Sequence, residues 1–282
     1  HAISVNSWSS GLICSLGAID LNPGDEVILP TWTMSACATS ILHWNCIPIF
    51  ADIDKKTFCI DTESIKKNIS KKTKAIMAVD IFGLSSNLDE IKKIAKKNNL
   101  KVITDAAQAP FSNYKNKIGG TIGDIGGISL NYHKHIHSGE GGVILTNNKL
   151  YSEKMKMIRN HGEAVLRKRK KFPLINMIGN NFRMGEIEAA ISIVQLKKLK
   201  KIIRKRIIIA NYLTDKLSNI DGLLLPKKHK DNTNVYYTYP IILDEKKKFD
   251  RKKILKYLKK EGLEGFGGGY QNLHLLPIFQ KK

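Results

Sequence analysis

Short β-branched runs alternate with longer amphipathic stretches over the first half of the chain. Glu26 to Leu29, Ile47 to Ala51, Ala75 to Val79, Val102 to Thr104, Ile128 to Leu130 and Val143 to Leu145 are almost continuously apolar, the pattern of strands buried on both faces. Between them, Gly11 to Ile19, Met34 to Leu42, Ser64 to Ile69 and Leu88 to Lys97 carry apolar residues at helical spacing. Strand alternating with helix predicts an α/β fold with a mainly parallel sheet flanked by helices. From Arg183 the pattern becomes one long helix, with Met184, Ile187, Ile191, Val194, Leu199, Ile202 and Ile207 on one face and lysines on the other. A helix of that length joins lobes. After it, Val235 to Leu243 predicts a strand, Arg251 to Lys260 a helix, and Gly265 to Gly269 a turn ahead of Tyr270. The expected division is a large domain over 1–200 and part of a smaller α+β lobe over 201–282.

With 282 residues, 42% of them hydrophobic and 26% charged, the chain has the composition of a soluble globular protein large enough for more than one lobe. No apolar run approaches the roughly 18 residues that a membrane span needs, so no membrane partner is expected. The chain opens His1-Ala2-Ile3 without a basic segment or apolar signal core, and a cytoplasmic location is the expectation. Cys14, Cys37, Cys46 and Cys59 form no C-x-x-C pair and read as reduced core residues. A net charge of +22 raises the question of nucleic acid. Only seven of the 47 basic residues are arginine, and the lysines are dispersed over nearly every expected helix; the densest clusters are Arg167 to Lys171 and Lys197 to Arg206. Dispersed lysine reads as a solvated face, so no specific nucleic-acid partner is expected.

Ligands of a parallel sheet bind beyond the carboxyl ends of its strands, where loops and helix N-termini present backbone N–H groups. Four segments fall there. Val5-Asn6-Ser7-Trp8-Ser9-Ser10-Gly11 puts hydroxyls at the first turn of a helix, a pattern that a simple cap also explains. Thr104-Asp105-Ala106-Ala107-Gln108 ends a strand on a carboxylate, which is either a helix cap or a charge facing a cation. Ser129-Leu130-Asn131-Tyr132-His133-Lys134-His135-Ile136-His137-Ser138-Gly139-Glu140-Gly141-Gly142 sets one lysine among histidines and aromatics before a glycine-rich turn. A lysine desolvated in this way loses its proton readily and suits Schiff-base chemistry, and pyridoxal phosphate needs both such a lysine and an acid for its ring nitrogen. His133, His135 and His137 alternate as metal ligands on a strand would, but no carboxylate or cysteine completes a first shell, and no metal is expected. The fourth segment, Gly179-Asn180-Asn181-Phe182-Arg183-Met184, opens the long helix and is otherwise a turn and cap.

Taken together, the run Ser129 to Gly142, Asp105-Ala106-Ala107-Gln108 before it and Asn181-Phe182-Arg183-Met184 after it resemble the DegT/DnrJ/EryC1/StrS family of nucleotide-sugar aminotransferases. Leu21 to Ile28, Pro48 to Ile53, Gly123-Asp124 and Arg159 to Gly162 agree, so the likeness runs over almost the whole chain. The resemblance implies a fold-type I enzyme that binds pyridoxal 5′-phosphate and works as a homodimer with shared active sites. It implies Lys134 as the catalytic Schiff-base lysine, Asp105 beside the ring nitrogen, and Gln108 beside the ring hydroxyl. Ser9, Ser10 and Ser129 match phosphate-holding positions, and Asn181 an asparagine reaching in from the partner. His161 and Arg183 are candidates for contacting the substrate. Met34 occupies the position where the family commonly stacks an aromatic on the cofactor. Relatives usually begin earlier and continue past Gln280, so both ends are expected to be missing. The implied reaction transfers an amino group, from glutamate, to a keto-deoxysugar nucleotide. The family's dehydratase branch has histidine in place of Lys134; the alternatives kept are a non-nucleotide ketone such as a cyclitol, and a non-catalytic regulatory homologue.

Overall fold

Along the chain run β1 (Ala2–Val5), α1 (Trp8–Ala18), β2 (Glu26–Pro30), α2 (Ser35–Leu42), β3 (Ile47–Ala51), α3 (Thr62–Asn68), β4 (Thr73–Val79), α4 (Leu88–Lys97) and β5 (Lys101–Asp105). A hairpin of β6 (Asn113–Tyr114) and β7 (Lys117–Ile118) follows, then β8 (Ile125–Ser129), β9 (Gly142–Leu145) and α5 (Lys149–Arg159). The structure is a computed structural model that describes residues 1–163, 177–265, 267 and 270–280. The basic cluster Arg167 to Lys171 and part of the Gly265 to Gly269 turn lie outside the described residues.

Seven strands form one sheet in the order β1–β9–β8–β5–β4–β2–β3. Strands β8, β5, β4, β2 and β3 are parallel, whereas β9 runs antiparallel to both β8 and β1. The two-residue period of a strand divides the core in two. Val27, Leu29, Ala75, Met77 and Ile103 face α1, α2 and α5 through Leu12, Leu16, Ile41, Met155 and Ile158. The intervening Ile28, Ile76, Ala78 and Val102 face α3 and α4 through Ile65, Leu88, Ile91 and Ile94. Covering both faces is what makes these strands apolar at nearly every position, as the sequence pattern suggested. Side-chain caps start the helices sharply: Asp61 accepts from the Glu63 and Ser64 amides, and Asn148 from those of Leu150 and Tyr151.

Several expectations are corrected. β8 spans Ile125–Ser129 rather than Ile128 to Leu130, because Gly126 and Gly127 belong to it. A Cβ at Gly126 would lie 2.1 Å from the Gly120 carbonyl oxygen, and one at Gly127 2.1 Å from the Trp8 ring. β1 and α5 were not foreseen. The Val235 to Leu243 strand shrinks to Ile242–Leu243 (β11), paired with Leu223–Leu224 (β10); the residues before it instead hydrogen-bond as irregular backbone to Phe82 and Gly83. The long helix is α6 (Glu186–Leu217), so Arg183 and Met184 precede it. Its buried residues are Leu199, Ile203 and Ala210, while Ile187, Ile191 and Val194 are exposed. α7 (Arg251–Lys260) is as expected, and α8 (Pro277–Gln280) is a single turn. The four cysteines are buried and free. Among the described residues no helix is long and apolar enough to cross a membrane.

The glycine at 127 is a steric requirement for seating Trp8. Gly127→Ala is expected to lower stability by about 2 kcal/mol through overpacking, read by chemical denaturation; unchanged stability would show that the ring can move aside.

Candidate active site

Asp105 ends β5 and Asp80 follows β4, so two carboxylates stand at one edge of the sheet, beside the loop that leaves β8. Asp105 is 4% exposed. A carboxylate so buried requires donors. Its Oδ1 accepts from Trp8 Nε1 at 2.7 Å and from the Ala107 amide at 2.9 Å, and its Oδ2 receives the Cys37 thiol at 3.3 Å. Burial pushes the carboxyl above the ordinary carboxylate range, opposed by the Ala107 amide, Cys37, Trp8 and the charge of Lys134.

Lys134 approaches the same site from the loop after β8. Hydrogen bonds from the Leu130 amide to Gly141 O, from the Ser138 amide to Leu130 O, and from Asn131 Nδ2 to Glu140 at 2.6 Å shape that loop. The Lys134 ammonium lies 4.6 Å from the centroid of the Tyr237 ring. Burial lowers its affinity for a proton, against the attraction of Asp105 and Cys37. The neighbouring His135 is buried and donates through Nε2 to Val235 O at 2.9 Å, and burial brings its pKa down to about 4. His133 and His137 are exposed, with His133 against Tyr132. Among the described residues, no three metal-ligating side chains form a group that could hold an ion.

The first turn of α1 forms another wall. Ser7 is its cap, accepting from the Ser10 amide at 3.1 Å; the Ser10 hydroxyl donates to Asn6 Oδ1 at 2.7 Å, and Ser9 is exposed. Ser129 pairs with Gly142 in the β8–β9 ladder, and Gly142 lies against the Ser7–Trp8 backbone. Ser9, Ser10 and Ser129 thus come to one corner of the sheet edge. Gln108 is held at both ends of its amide: Oε1 accepts from the Phe82 amide at 2.8 Å, and Nε2 donates to the Tyr270 hydroxyl at 2.6 Å. The Tyr270 hydroxyl is pushed up to about 12, chiefly by burial. Trp32, which packs against Phe58, Phe82 and Tyr270, completes an aromatic wall.

The remaining predicted residues lie further out. Met34 is 55% exposed ahead of α2. Asn181 and His161 are exposed; the Asn181 carbonyl accepts from Asn6 Nδ2, and Asn181 bridges Asn160. Arg183 is exposed and hydrogen-bonds Asn160. Trp8, Cys37, Tyr237 and Asp80 were not picked out from the sequence as site residues, because each joins Asp105 or Lys134 from a distant part of the chain. Nothing in the Val5 to Gly11 segment marks the partner of Trp8 97 residues away.

A family profile described as the DegT/DnrJ/EryC1/StrS aminotransferase family matches residues 1–282. The chain is 34% identical to the GDP-perosamine synthase of Caulobacter vibrioides over 99% of its own length and 74% of that protein. It superposes on an aminotransferase from Psychrobacter cryohalolentis with a TM-score of 0.92 at 30% identity, over 99% of this chain and 75% of that one. It superposes on NtdA of Bacillus subtilis, solved with bound cofactor PMP, with a TM-score of 0.85 at 31% identity, over 99% of this chain and 63% of that one.

Asp80 is fully buried; its Oδ1 accepts from the Ser86 amide at 2.8 Å, and among the described residues its Oδ2 has no hydrogen bond of good geometry. Burial, reinforced by the charge of Asp105, pushes it up to about 7 from the ordinary 3.8. The folded protein therefore keeps a proton that the unfolded chain has lost, and this group's contribution to stability falls as pH rises from 3.8 to about 7. Asp80→Asn removes that slope. The stability difference between variant and wild type is expected to grow in the variant's favour by roughly 2 kcal/mol between pH 5 and pH 7, measured by denaturation at both values. A difference independent of pH would mean Asp80 is ionised throughout.

Proposed function

The chain belongs to the DegT/DnrJ/EryC1/StrS aminotransferase family, and from that premise we propose that it transfers an amino group from glutamate to the ketone of a nucleotide-linked deoxysugar. It is a sugar aminotransferase, and its cofactor is pyridoxal 5′-phosphate. The observation that carries the proposal is the convergence of Lys134, from the loop after β8, and Asp105, from the end of β5, on one site.

The residues present fit the cofactor. Lys134 is a partly buried amine whose ammonium is disfavoured, whereas the buried Lys154 forms an ion pair with Asp20. Asp105 has one oxygen with two N–H donors and the other with a single weak thiol donor, which leaves that second oxygen available to a ring nitrogen. The first turn of α1 offers hydroxyls and the positive end of a helix to a phosphate dianion. Bound there, pyridoxal phosphate supplies an electron sink for the charge that develops at the carbon carrying the amino group. Lys134 Nζ would hold the cofactor and would serve as the base that moves a proton at that carbon, a role its lowered proton affinity suits. Asp105 Oδ2 would accept from the ring nitrogen and favour its protonated form. Gln108, fixed by Phe82 and Tyr270, would meet the ring hydroxyl, and Ser9, Ser10 and Ser129 would hold the phosphate. Met34, ahead of α2, would pack its thioether on the ring face. Tyr237, Tyr270, Trp32 and Phe82 exclude water.

The proposal includes a homodimer. Ile187, Ile191 and Val194 form an uncovered apolar stripe on α6, which a second copy would bury. Asn181 then reaches the partner's phosphate site, and His161 and Arg183 line the entry for the nucleotide sugar.

Borohydride reduction of the loaded protein followed by peptide mapping is expected to mark Lys134, and a labelled peptide from any other lysine would displace it from the role. Glutamate is expected to bleach the visible band, and a panel of keto-sugar nucleotides to restore it; restoration by a cyclitol ketone alone would redirect the substrate assignment. Mixing inactive Lys134→Ala and Asn181→Ala subunits is expected to recover up to about a quarter of wild-type activity, since random pairing gives half heterodimers with one intact site each. No recovery despite verified subunit exchange would return Asn181 to its own subunit.

A further inference from the structure

We propose that Trp8 is a positioning residue for the cofactor's ring-nitrogen partner: its indole N–H fixes the Asp105 carboxylate so that Oδ2 faces the ring. The inference deepens the reading above and rests on Asp105 serving the ring nitrogen. Three observations carry it. The 2.7 Å bond from Trp8 Nε1 to Oδ1, together with the Ala107 amide at 2.9 Å, holds one carboxylate oxygen from two directions and so sets the plane of the group. Oδ2 keeps only the long 3.3 Å thiol contact among the hydrogen bonds described for Asp105, so it is the oxygen with spare accepting capacity.

The second observation is the seat of the indole. A Cβ at Gly11 would lie 2.6 Å from Trp8 Cε3, and one at Gly127 would lie 2.1 Å from Cζ3 and 2.3 Å from Cη2. Two glycines on different elements therefore leave a slot that the ring fills, and a ring so confined cannot swing its N–H away from Asp105. The third is the position of Trp8 in α1, next to Ser9 and Ser10. One helical turn thus supports both the phosphate corner and the carboxylate at the far end of the ring. A cofactor bound at both ends is held in a single orientation, which is what proton transfer at one carbon requires.

The other groups facing Asp105 are Lys134 from the loop after β8, Cys37 on α2, Asp80 after β4 and Tyr270. Trp8 is the side chain among them that donates a strong, neutral hydrogen bond. Losing it removes a donor that favours the ionised carboxylate, so the Asp105 pKa rises and the acid limb of activity moves to higher pH.

The test compares Trp8→Phe, which keeps a ring but has no N–H, with Trp8→His, which restores a donor, and with Asp105→Asn. Apo protein is titrated with pyridoxal phosphate, and the pH dependence of the bound visible band and of kcat is recorded. Trp8→Phe is expected to weaken cofactor binding by about tenfold, to lower kcat by about tenfold or more with little change in KM for the sugar, and to move the acid limb upward, the size of losing one hydrogen bond to a charged group. Trp8→His is expected to recover part of each change. Wild-type cofactor affinity and acid limb in Trp8→Phe, with Asp105→Asn inactive, would overturn the role of Trp8 and leave that of Asp105 standing. An active Asp105→Asn enzyme would overturn the underlying reading instead. Should Trp8→Phe fail to fold, the wild-type protein labelled with 15N-tryptophan decides: the Trp8 indole N–H is expected downfield, protected from exchange, and shifted when the cofactor is added. An exchanging, unshifted signal would refute the bond.

Discussion

A carboxylate taken out of water at the end of a parallel strand costs several kcal/mol unless donors and a cation surround it. Around Asp105 those partners arrive from four places: the indole of Trp8 on α1, the thiol of Cys37 on α2, the amide of Ala107 just beyond β5, and the charge of Lys134 on the loop after β8. None of these elements adjoins the others in sequence except Ala107. Folding the sheet in the order observed is what brings them together, and the buried charge in turn specifies how α1, α2 and the Lys134 loop must sit. The same burial that makes Asp105 demanding also lowers the proton affinity of Lys134, so one constraint produces both halves of the proposed chemistry.

The crossover pattern turns that local constraint into a cleft. Parallel strands β2, β4, β5 and β8 all end on the same edge, and the antiparallel β9 closes the β8 side while bringing Gly142 against the first turn of α1. The chain then returns over this edge twice. Backbone near Val235 and Tyr237 bonds to Gly83 and Phe82, and Tyr270 reaches Gln108. These late segments carry aromatic rings to the mouth of the site, where their bulk excludes water more than it adds polar contacts. The surface lysines take no part in this arrangement, which is why a formal charge of +22 says little about the reaction.

The buried strands could be read from the sequence because sheets covered on both faces demand apolar residues at every position. β3 was located to the residue, as was the helix Leu88–Lys97. Legibility failed where tertiary contacts overrode local preference. Ile125-Gly-Gly-Ile-Ser was displaced by three residues because glycines argue against a strand until the Trp8 ring and the Gly120 carbonyl are known to need the room. Val235 to Leu243 is rich in strand-forming residues, yet it spends its backbone hydrogen bonds on the loop after β4, and Pro240 interrupts it. The period of α6 marks an apolar stripe, yet Ile187, Ile191 and Val194 on it are exposed, since a period reports a face and not what lies on it. At the site, Lys134, Asp105 and Gln108 stood out through their motifs, whereas Trp8, Cys37 and Tyr237 act through pairings between distant parts of the chain that no local pattern encodes.

The proposed chemistry depends on Asp105 being held on one oxygen by α1 and offering the other to the cofactor. A crystal structure of the protein loaded with pyridoxal phosphate tests it most directly. The ring nitrogen is expected to be hydrogen-bonded to Asp105 Oδ2, with Trp8 Nε1 still on Oδ1, the phosphate at Ser9, Ser10 and Ser129, and Lys134 at the aldehyde carbon. A ring nitrogen turned away from Asp105, or a phosphate bound away from the first turn of α1, would contradict it.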